Sequence, residues 1–340
     1  MFAPISRPAR MKGLTLIELM ISLVLGMVLV GGVLVVFLGS QTSYKTSDNL
    51  SKMQDSARIS FALISHEIRE AAGTGCGNGS RLDNAISKRN ESILNAAQAT
   101  TPAWWSVMGN GVMGYDAGTA SPAIAIGTGT TQRVSTTDAI QLTGAYGAGF
   151  SIDTHSNTGY NFTLNTASSG LNANDILIAC DYKQSTVFNA SSVVGKTVTY
   201  AAGAGSSRNC GIALGYDADN NCSTTAYKYD SLVARLYRFG ASTWYIGNGT
   251  NGRPSLYRVF LNGNPEEIAT GVTDMQIQYL QDGNTAYVSA PSVTDWGAVV
   301  AVRLTLNFEG LDKNIATGGT GDRRISTVAT STIMLRNRTP

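Results

Sequence analysis

Residues able to do acid–base, nucleophilic or metal chemistry are few in this 340-residue sequence and lie far apart. The chain contains two histidines, His66 and His155, and only 14% of its residues are charged. His66 and Glu67 begin a near match to the helical zinc-protease motif, but Glu70 stands where that motif needs its second histidine. No Gly-x-Ser-x-Gly or P-loop pattern is present. The sequence therefore predicts no enzyme, no cofactor and no catalytic residue.

Four cysteines, Cys76, Cys180, Cys210 and Cys222, form a second candidate set. They contain no C-x-x-C pair, and in an exported segment an even number of cysteines favours disulfides over a metal site. Three pairings are possible. The short interval between Cys210 and Cys222 makes a local bridge plausible, which would leave Cys76 to meet Cys180.

A weak calcium pattern lies between the last two cysteines. Asp217, Asp219 and Asn221 alternate as the first oxygen ligands of an EF-hand loop do. However, Cys222 stands at the sixth position, where that loop needs glycine, and Lys228 at the twelfth, where it needs glutamate. We therefore expect an Asx turn closed by a disulfide rather than a bound metal.

The elements that must position these residues begin with a basic and then strongly apolar amino terminus. Residues 1–13 carry three basic side chains and no acid, and residues 14–38 contain a single ionisable side chain, Glu18. A helix over 14–38 is about 37 Å long and spans the roughly 30 Å hydrocarbon core of a bilayer. The basic flank places the amino terminus in the cytoplasm and the rest of the chain beyond the inner membrane.

Helical periodicity continues past the apolar run and predicts one long helix over residues 14–72. Gly73 and Gly75 end the pattern, as a carboxyl-terminal stop would. From residue 138 onward, short β-rich runs alternate with turn signals. The predicted fold class is α+β, with a long amino-terminal helix, half transmembrane and half amphipathic, packed on an antiparallel β-sheet head. The predicted packing stripe consists of Leu50, Met53, Ala57, Phe61, Ile64, Ile68 and Ala71.

The amino-terminal segment also carries a specific resemblance. Lys12-Gly13-Leu14-Thr15-Leu16-Ile17-Glu18-Leu19 resembles the processing motif of type IV pilins and pseudopilins, in which a basic leader and a glycine precede an apolar run with glutamate at its fifth position. The helix end at 68–76 is similar to the PilW-like minor pilins. So are the later runs at 267–279 and 296–304 and the ending Leu335-Arg336-Asn337-Arg338.

This resemblance implies a function and a set of site residues. A prepilin peptidase would cut between Gly13 and Leu14 and methylate the new terminus. Glu18 would then assist filament assembly by pairing with the terminal amine of a neighbouring subunit. The implied protein is a non-catalytic minor pilin that primes type IV pilus assembly and enters the filament at its tip, with its head in the periplasm or at the cell surface.

The resemblance also implies partners: the prepilin peptidase, other minor pilins, the major pilin, the pilus assembly platform, an adhesin-like protein at the tip and the inner membrane. A nucleic-acid partner is not expected, because the head carries no basic cluster. Four arginines near the end of the chain, Arg323, Arg324, Arg336 and Arg338, are instead expected to keep a strand edge soluble.

The resulting division of the chain has five parts. A prepilin leader occupies 1–13, a transmembrane and filament-core helix 14–39, an amphipathic periplasmic helix 40–73, a variable loop region 74–137 and a β-rich head 138–340. Three other functions stay open. One is a J-like pseudopilin of type II secretion, which shares the motif and the helix. Another is a membrane-anchored periplasmic binding module or enzyme, with its site at Trp104 and Trp105 or at the Asp217 loop. The third is competence for DNA uptake, without direct binding of DNA by the head.

Overall fold

The structure, a computed structural model, describes residues 15–76, 90–217, 222–316 and 321–338. The predicted processing residues Gly13 and Leu14, and two of the calcium candidates, Asp219 and Asn221, lie outside the described residues. The chain divides into two compact units, which are described separately below. The first unit comprises Met1–Ser51 and Asp312–Ile325, and the second, the head, comprises Lys52–Leu311 and Ser326–Pro340.

The first unit contains the amino-terminal part of α1, the helix Leu16–Glu70. By length and composition this helix could cross a membrane. Every large apolar side chain from Leu16 to Leu38 is more than half exposed. Further along, the Asn49 side-chain amide donates to the Asp312 carboxylate at 2.7 Å and its oxygen accepts from the Asp312 backbone N–H at 3.1 Å. These two bonds fasten the loop that begins at Asp312 to the helix.

The carboxyl-terminal part of α1, in the head, buries the apolar stripe that its periodicity predicts. The Phe61 ring lies 6.4 Å from the ring of Phe308. Leu50, the first predicted member of the stripe, belongs to the other unit and is 44% exposed. The long helix and its buried face are therefore confirmed. The buried members of the stripe in the head are Met53, Ile64, Ile68 and Ala71.

Strands of the described part of the head form two sheets, one large and one small. The large sheet consists of β1 (Asn90–Ser92), β2 (Val112–Tyr115), β3 (Ala139–Ser156), β4 (Asn161–Leu164), β5 (Ile176–Cys180), β6 (Ser185–Asn189), β7 (Ser192–Val194), β8 (Thr197–Thr199), β9 (Arg235–Asn248), β10 (Pro254–Phe260) and β11 (Glu266–Thr270). The small sheet consists of β12 (Val272–Gln281), β13 (Val299–Glu309) and β14 (Ser326–Met334).

The order in the large sheet is β1-β6-β5-β9-β3-β4-β8-β7, with β2 on β3, β10 on β9 and β11 on β10. In the small sheet the order is β12-β13-β14. β1 and β6 run parallel, and the other pairs are antiparallel. The predicted fold class, a long helix packed on a mostly antiparallel sheet, is confirmed.

The long strand β9 contains a glycine that close packing requires. Gly240 lies inside the strand, which runs from Arg235 to Asn248. A Cβ at Gly240 would lie 3.3 Å from the Cβ of Tyr146 and 3.6 Å from the Phe260 ring. The glycine therefore serves close packing rather than a turn. β9 pairs with β3 along one edge and with β5 and then β10 along the other, so it is the centre of the large sheet.

Candidate functional site: the two ends of the long helix

The first turn of α1 is closed by Thr15 and Glu18. The backbone N–H and the hydroxyl of Thr15 each donate to the Glu18 carboxylate at 3.0 Å, and the Glu18 N–H donates to the Thr15 hydroxyl at 3.3 Å. This reciprocal arrangement is a capping box, which satisfies amide groups that the start of a helix leaves unpaired. The predicted assembly residue Glu18 therefore lies at the exposed start of the helix, and its partner in the single chain is Thr15.

The helix surface that follows Glu18 is apolar on nearly all sides as far as Leu38, and its large apolar side chains are all more than half exposed. Removing apolar surface from water is favourable by roughly 25 cal/mol per Å². A helix that is apolar all round is stable when a membrane or other helices surround it. This segment is therefore suited to a hydrocarbon or helical environment, which the described residues of its own unit do not supply.

At its other end α1 is capped by the carboxyl terminus of the chain. The Asn337 side chain donates to the backbone oxygens of Glu70 and Ala71 at 3.0 and 3.2 Å. Ala72 then takes a left-handed conformation with φ of 63°, which ends the helix. Gly73 leaves the room that Asn337 needs, because a Cβ there would lie 2.3 Å from the Asn337 side-chain nitrogen.

The chain leaving α1 joins the large sheet at once. The Ala72 N–H donates to the Thr143 oxygen of β3 at 2.9 Å, and the Ala145 N–H donates to the Gly73 oxygen at 2.7 Å. Three residues later Cys76 is bonded to Cys180 at the end of β5. Backbone hydrogen bonds and a covalent bond therefore tie the helix exit to two strands of the sheet.

Arg338 corrects the expectation that it lies at a soluble strand edge. Its guanidinium donates to the backbone oxygens of Trp296 and Val299 at 2.6 and 3.0 Å, and also to that of Asn110. Burial lowers the pKa of Arg338 to about 10. Because three carbonyl oxygens from two separate segments accept from this one side chain, Arg338 holds the carboxyl terminus in place beneath the helix end.

Glu67 is a residue of this anchorage that the sequence analysis missed. Its carboxylate accepts from the Ser242 hydroxyl at 2.5 Å and the Trp244 indole N–H at 2.6 Å. Arg258 donates to the same carboxylate at 3.0 Å. Helical spacing contains the missed signal, because Glu67 lies three residues after Ile64 and four before Ala71, on the buried face. An acid at that position indicates a buried polar partner.

The four cysteines form two disulfides, Cys76–Cys180 and Cys210–Cys222. The sequence analysis expected this pairing, with a local bridge between Cys210 and Cys222 and the remaining two cysteines bonded to each other. The two bonds close intervals of very different length, 104 and 12 residues. The long one ties the exit of α1 to β5, whereas the short one closes a loop.

The weak calcium candidate in that loop is described only at Asp217. Its backbone N–H donates to the Glu91 carboxylate at 3.2 Å. Burial is the main cause that raises the pKa of Glu91. Among the described residues, no group of three or more His, Cys, Asp or Glu side chains is suited to hold a metal ion. Asp219 and Asn221 lie outside the description.

The buried histidine of the head, His155, is held by aromatic residues. Its Nε2 lies 2.9 Å from the Tyr200 hydroxyl, and its Nδ1 accepts from the Tyr229 N–H at 3.0 Å. The imidazole stacks on Phe162 with ring centroids 4.2 Å apart. Burial lowers the pKa of His155 to about 4, so the ring is neutral at pH 7. With both nitrogens occupied, His155 organises the core of the head.

The tryptophan pair considered as a binding-module site also belongs to the core. Trp105 is 4% exposed and lies in a cluster with Leu94, Ile178 and Phe239, and Trp104 packs partly buried against that cluster. Packing of this kind stabilises the head and leaves little of the Trp105 ring for a ligand.

Comparison with known proteins gives two family matches. Residues 243–337 match the family described as Type IV Pilus-assembly protein W, and residues 8–34 match the Prokaryotic N-terminal methylation motif. The first match contains β10, the small sheet and the residues that cap the end of α1; the second contains Glu18 and most of the exposed apolar segment. These matches confirm the resemblance to the PilW-like minor pilins.

One solved structure is similar to this chain, a type IV-like pilin from Thermus thermophilus. The similarity covers 85% of this chain and 98% of that one, with 8% sequence identity and a TM-score of 0.31. At that TM-score nothing about the function is carried over. The curated proteins give no match.

Proposed function

We propose that this chain, a type IV pilin-like protein with a PilW domain and an N-methylation motif, is a minor pilin that primes assembly of a type IV pilus. The observation that carries the proposal is the apolar segment from Leu16 to Leu38, which is exposed throughout and lies inside the methylation-motif match. Its role is structural rather than catalytic. Its position at the pilus tip is an inference from the resemblance.

In the first stage of this proposal the chain is a single-pass protein of the inner membrane. The basic leader stays in the cytoplasm and the head lies in the periplasm. The prepilin peptidase then cuts between Gly13 and Leu14 and methylates the new amine. The leader contains three of the 25 Lys and Arg residues, so the mature chain carries 22 basic against 23 acidic residues and a formal charge of −1.

In the second stage the apolar segment moves from lipid into a bundle of pilin helices. The Glu18 carboxylate is the group that the bundle must satisfy, because an unpaired charge in an apolar bundle is costly. The terminal amine of a neighbouring subunit supplies the opposite charge. Glu18 already accepts two hydrogen bonds from Thr15, so its carboxylate stays partly satisfied while it lies in the membrane.

The partners follow from these two stages. They are the prepilin peptidase, the other minor pilins and the major pilin, the assembly platform of the pilus, and an adhesin-like protein at the tip. The arrangement of the head supports the proposal, because Glu67, Asn337 and the Cys76–Cys180 bond hold the end of α1 rigidly against the sheet.

The test is mass spectrometry of the amino terminus, in membranes and in sheared filaments, for the wild type, Gly13→Ala and a strain without prepilin peptidase. We expect a methylated Leu14 terminus in the wild type and an unprocessed chain in both controls. Glu18→Gln is expected to be cut and methylated but to be missing from sheared filaments. An intact leader in the wild type would overturn the proposal, and recovery of the wild type in membranes alone would favour a type II secretion pseudopilin.

A further inference from the structure

Most exposed sheet edges in the described part of the head are short, charged or covered. β1 and β7, the ends of the large sheet, are three residues long each. β11 carries Glu266 and Glu267. Short length and charge are the means by which proteins prevent an edge strand from pairing with another chain.

The outer edge of β12 is covered by backbone and carboxylate groups. The Asp138 N–H donates to the Met275 oxygen at 2.9 Å, and the Asp138 carboxylate accepts from the Ile277 N–H at 2.7 Å. Tyr279 and Val288 exchange two further backbone bonds at 2.8 and 2.9 Å. Every second residue of this edge, from Met275 to Tyr279, is thus already paired.

β14, at the opposite edge of the same sheet, has none of these protections. Its nine residues, STVATSTIM, include no charge, proline or glycine. They pair with β13 from Ser326 to Met334 without a bulge. Within the described residues, no backbone hydrogen bond is made along the other side of β14. Val328 and Met334 are 62% and 59% exposed.

The chemistry of this edge specifies its occupant. A row of free N–H and C=O groups over nine residues, about 30 Å, is matched by one extended peptide segment. β14 offers no charged side chain for an ion pair across the strands, so an uncharged segment, which contacts it through apolar and neutral polar side chains, suits this edge best. Val328 and Met334 supply apolar contacts near the two ends of the strand.

Self-pairing of β14 does not suit a filament subunit. Two copies joined antiparallel through the same edge form a closed two-fold dimer, which uses up the edge of both copies. A filament grows by contacts between different surfaces. β14 of a second copy is therefore not the occupant, and in the proposed filament we take the occupant from a different subunit.

We propose that β14 binds, by strand addition, an extended uncharged segment of a different pilin-class subunit. The proposal rests on the proposed function, since it takes the partner from the same filament. It adds a contact between heads to the helix bundling described above. The contact is made in the oxidising compartment, where the disulfides of the head form.

The first test places a photo-crosslinking amino acid at position 328 of the full chain in living cells, and at position 194 as the matched control. Val194 is also an exposed valine of an edge strand, 72% exposed, but β7 is only three residues long. We expect position 328 alone to link to an uncharged segment of another chain with a methylated pilin-type terminus. Equal linking at both positions, or linking at 328 to a second copy or to a protein of another class, would overturn the proposal.

The second test compares Val328→Lys with Val194→Lys. Because the added ammonium would be desolvated against the incoming strand, Val328→Lys should reduce the amount of chain in sheared filaments roughly tenfold. Val194→Lys should leave that amount unchanged. The amount of methylated chain in membranes should match the wild type for both variants, which shows that each folds and is processed.

The two tests separate this inference from the proposed function. Wild-type incorporation with no effect of Val328→Lys overturns strand addition and leaves the minor pilin intact. Absence of the wild type from filaments overturns the pilus assignment, and the crosslink in membranes then still decides whether β14 binds a pilin-class strand.

Discussion

The two parts of α1 show how one helix can satisfy its side chains in different ways. In the head, Ile64 and Ile68 are fully buried, and the charged Glu67 beside them has three donors within 3.0 Å. In the first unit, Ile17 and Ile21 are 67% and 55% exposed. The comparison teaches that the chain itself completes one part of the helix and leaves the other part to be completed by lipid or by other subunits.

Removal of the Cys76–Cys180 bond tests whether the head truly anchors the helix exit, and it has the largest expected effect. The chain between these cysteines spans 104 residues, and closing a loop of about 100 residues contributes roughly 4.7 kcal/mol. Replacing both by alanine should lower the free energy of unfolding by about that amount. Chemical unfolding of the full chain in detergent provides the measurement.

The matched control replaces Cys210 and Cys222. Their interval is 12 residues, for which the same relation gives about 3 kcal/mol. If both double variants lost the same free energy of unfolding, the bond between the helix exit and β5 would stabilise the head no more than the local bond does.

Glu67→Ala tests the polar part of the anchorage. It removes the acceptor of the Trp244 indole and the Ser242 hydroxyl and leaves Arg258 with Glu266 as its ion-pair partner. Leaving the buried Trp244 and Ser242 donors without an acceptor costs about 1–3 kcal/mol each, whereas Arg258 keeps an ion-pair partner. Asp55→Ala, an exposed acid on the same helix, should change stability by less than about 0.5 kcal/mol. A similar loss for both, in thermal and chemical unfolding, would contradict the assigned role.

Low pH should destabilise the head but not the apolar segment, because the buried histidine His155 lies in the head. Its pKa is about 4 in the head against 6.5 in the unfolded chain, so the unfolded state takes up the proton first. The stability contribution of neutral His155 is complete above pH 6.5 and is lost as the pH falls toward 4, by about 3 kcal/mol.

The contribution of His155 to this pH dependence is obtained by subtracting the free energy of unfolding of His155→Gln from that of the wild type at each pH. Subtraction is needed because burial raises the pKa of Asp138 to about 6, and its protonation favours the folded state over part of the same range. Unfolding curves at several pH values from 4 to 7 give both slopes. Parallel curves for the two proteins would show that His155 contributes no pH dependence.

The smallest expected effect, that of a substitution in the apolar segment, gives the sharpest test of the difference between the two parts of α1. Ile21→Ala and Ile64→Ala make the same chemical change at a side chain that is 55% exposed and at one that is fully buried. In detergent, Ile21→Ala should alter the stability of the head by less than about 0.5 kcal/mol. Ile64→Ala should cost about 2–5 kcal/mol. Equal costs would mean that the first unit contributes to the folding of the head.

The parts of the fold that sequence predicts are those with a simple period. The helix and its stripe follow from apolar residues three and four apart, and the longer strands from alternation. β1 and β2 were not predicted, because three or four residues are too few for a period to show. The sequence also gives no reason for Gly240 inside β9, because Tyr146 and Phe260 lie beside it only in the folded head.

The candidate site divides in the same way. Glu18 was singled out because it is the one ionisable side chain of the apolar run and because the motif around it is local. Its capping box with Thr15 was not predicted, although only four residues of chain hold it. Glu67 and Asn337 act through residues about 175 and 267 positions away. No spacing rule connects such distant positions. The place of Glu67 on the buried face indicates that a polar partner exists, but the sequence does not identify that partner or the one that Asn337 meets.

The exit of α1 has a mechanical consequence. A pull on the helix is transmitted to β3 through the Ala72 and Gly73 backbone, and to β5 through the Cys76–Cys180 bond. Both strands pair with β9, the central strand of the large sheet. Tension is therefore shared by three adjacent strands and a covalent link, so the head can bear load along its helix without being peeled open one strand at a time.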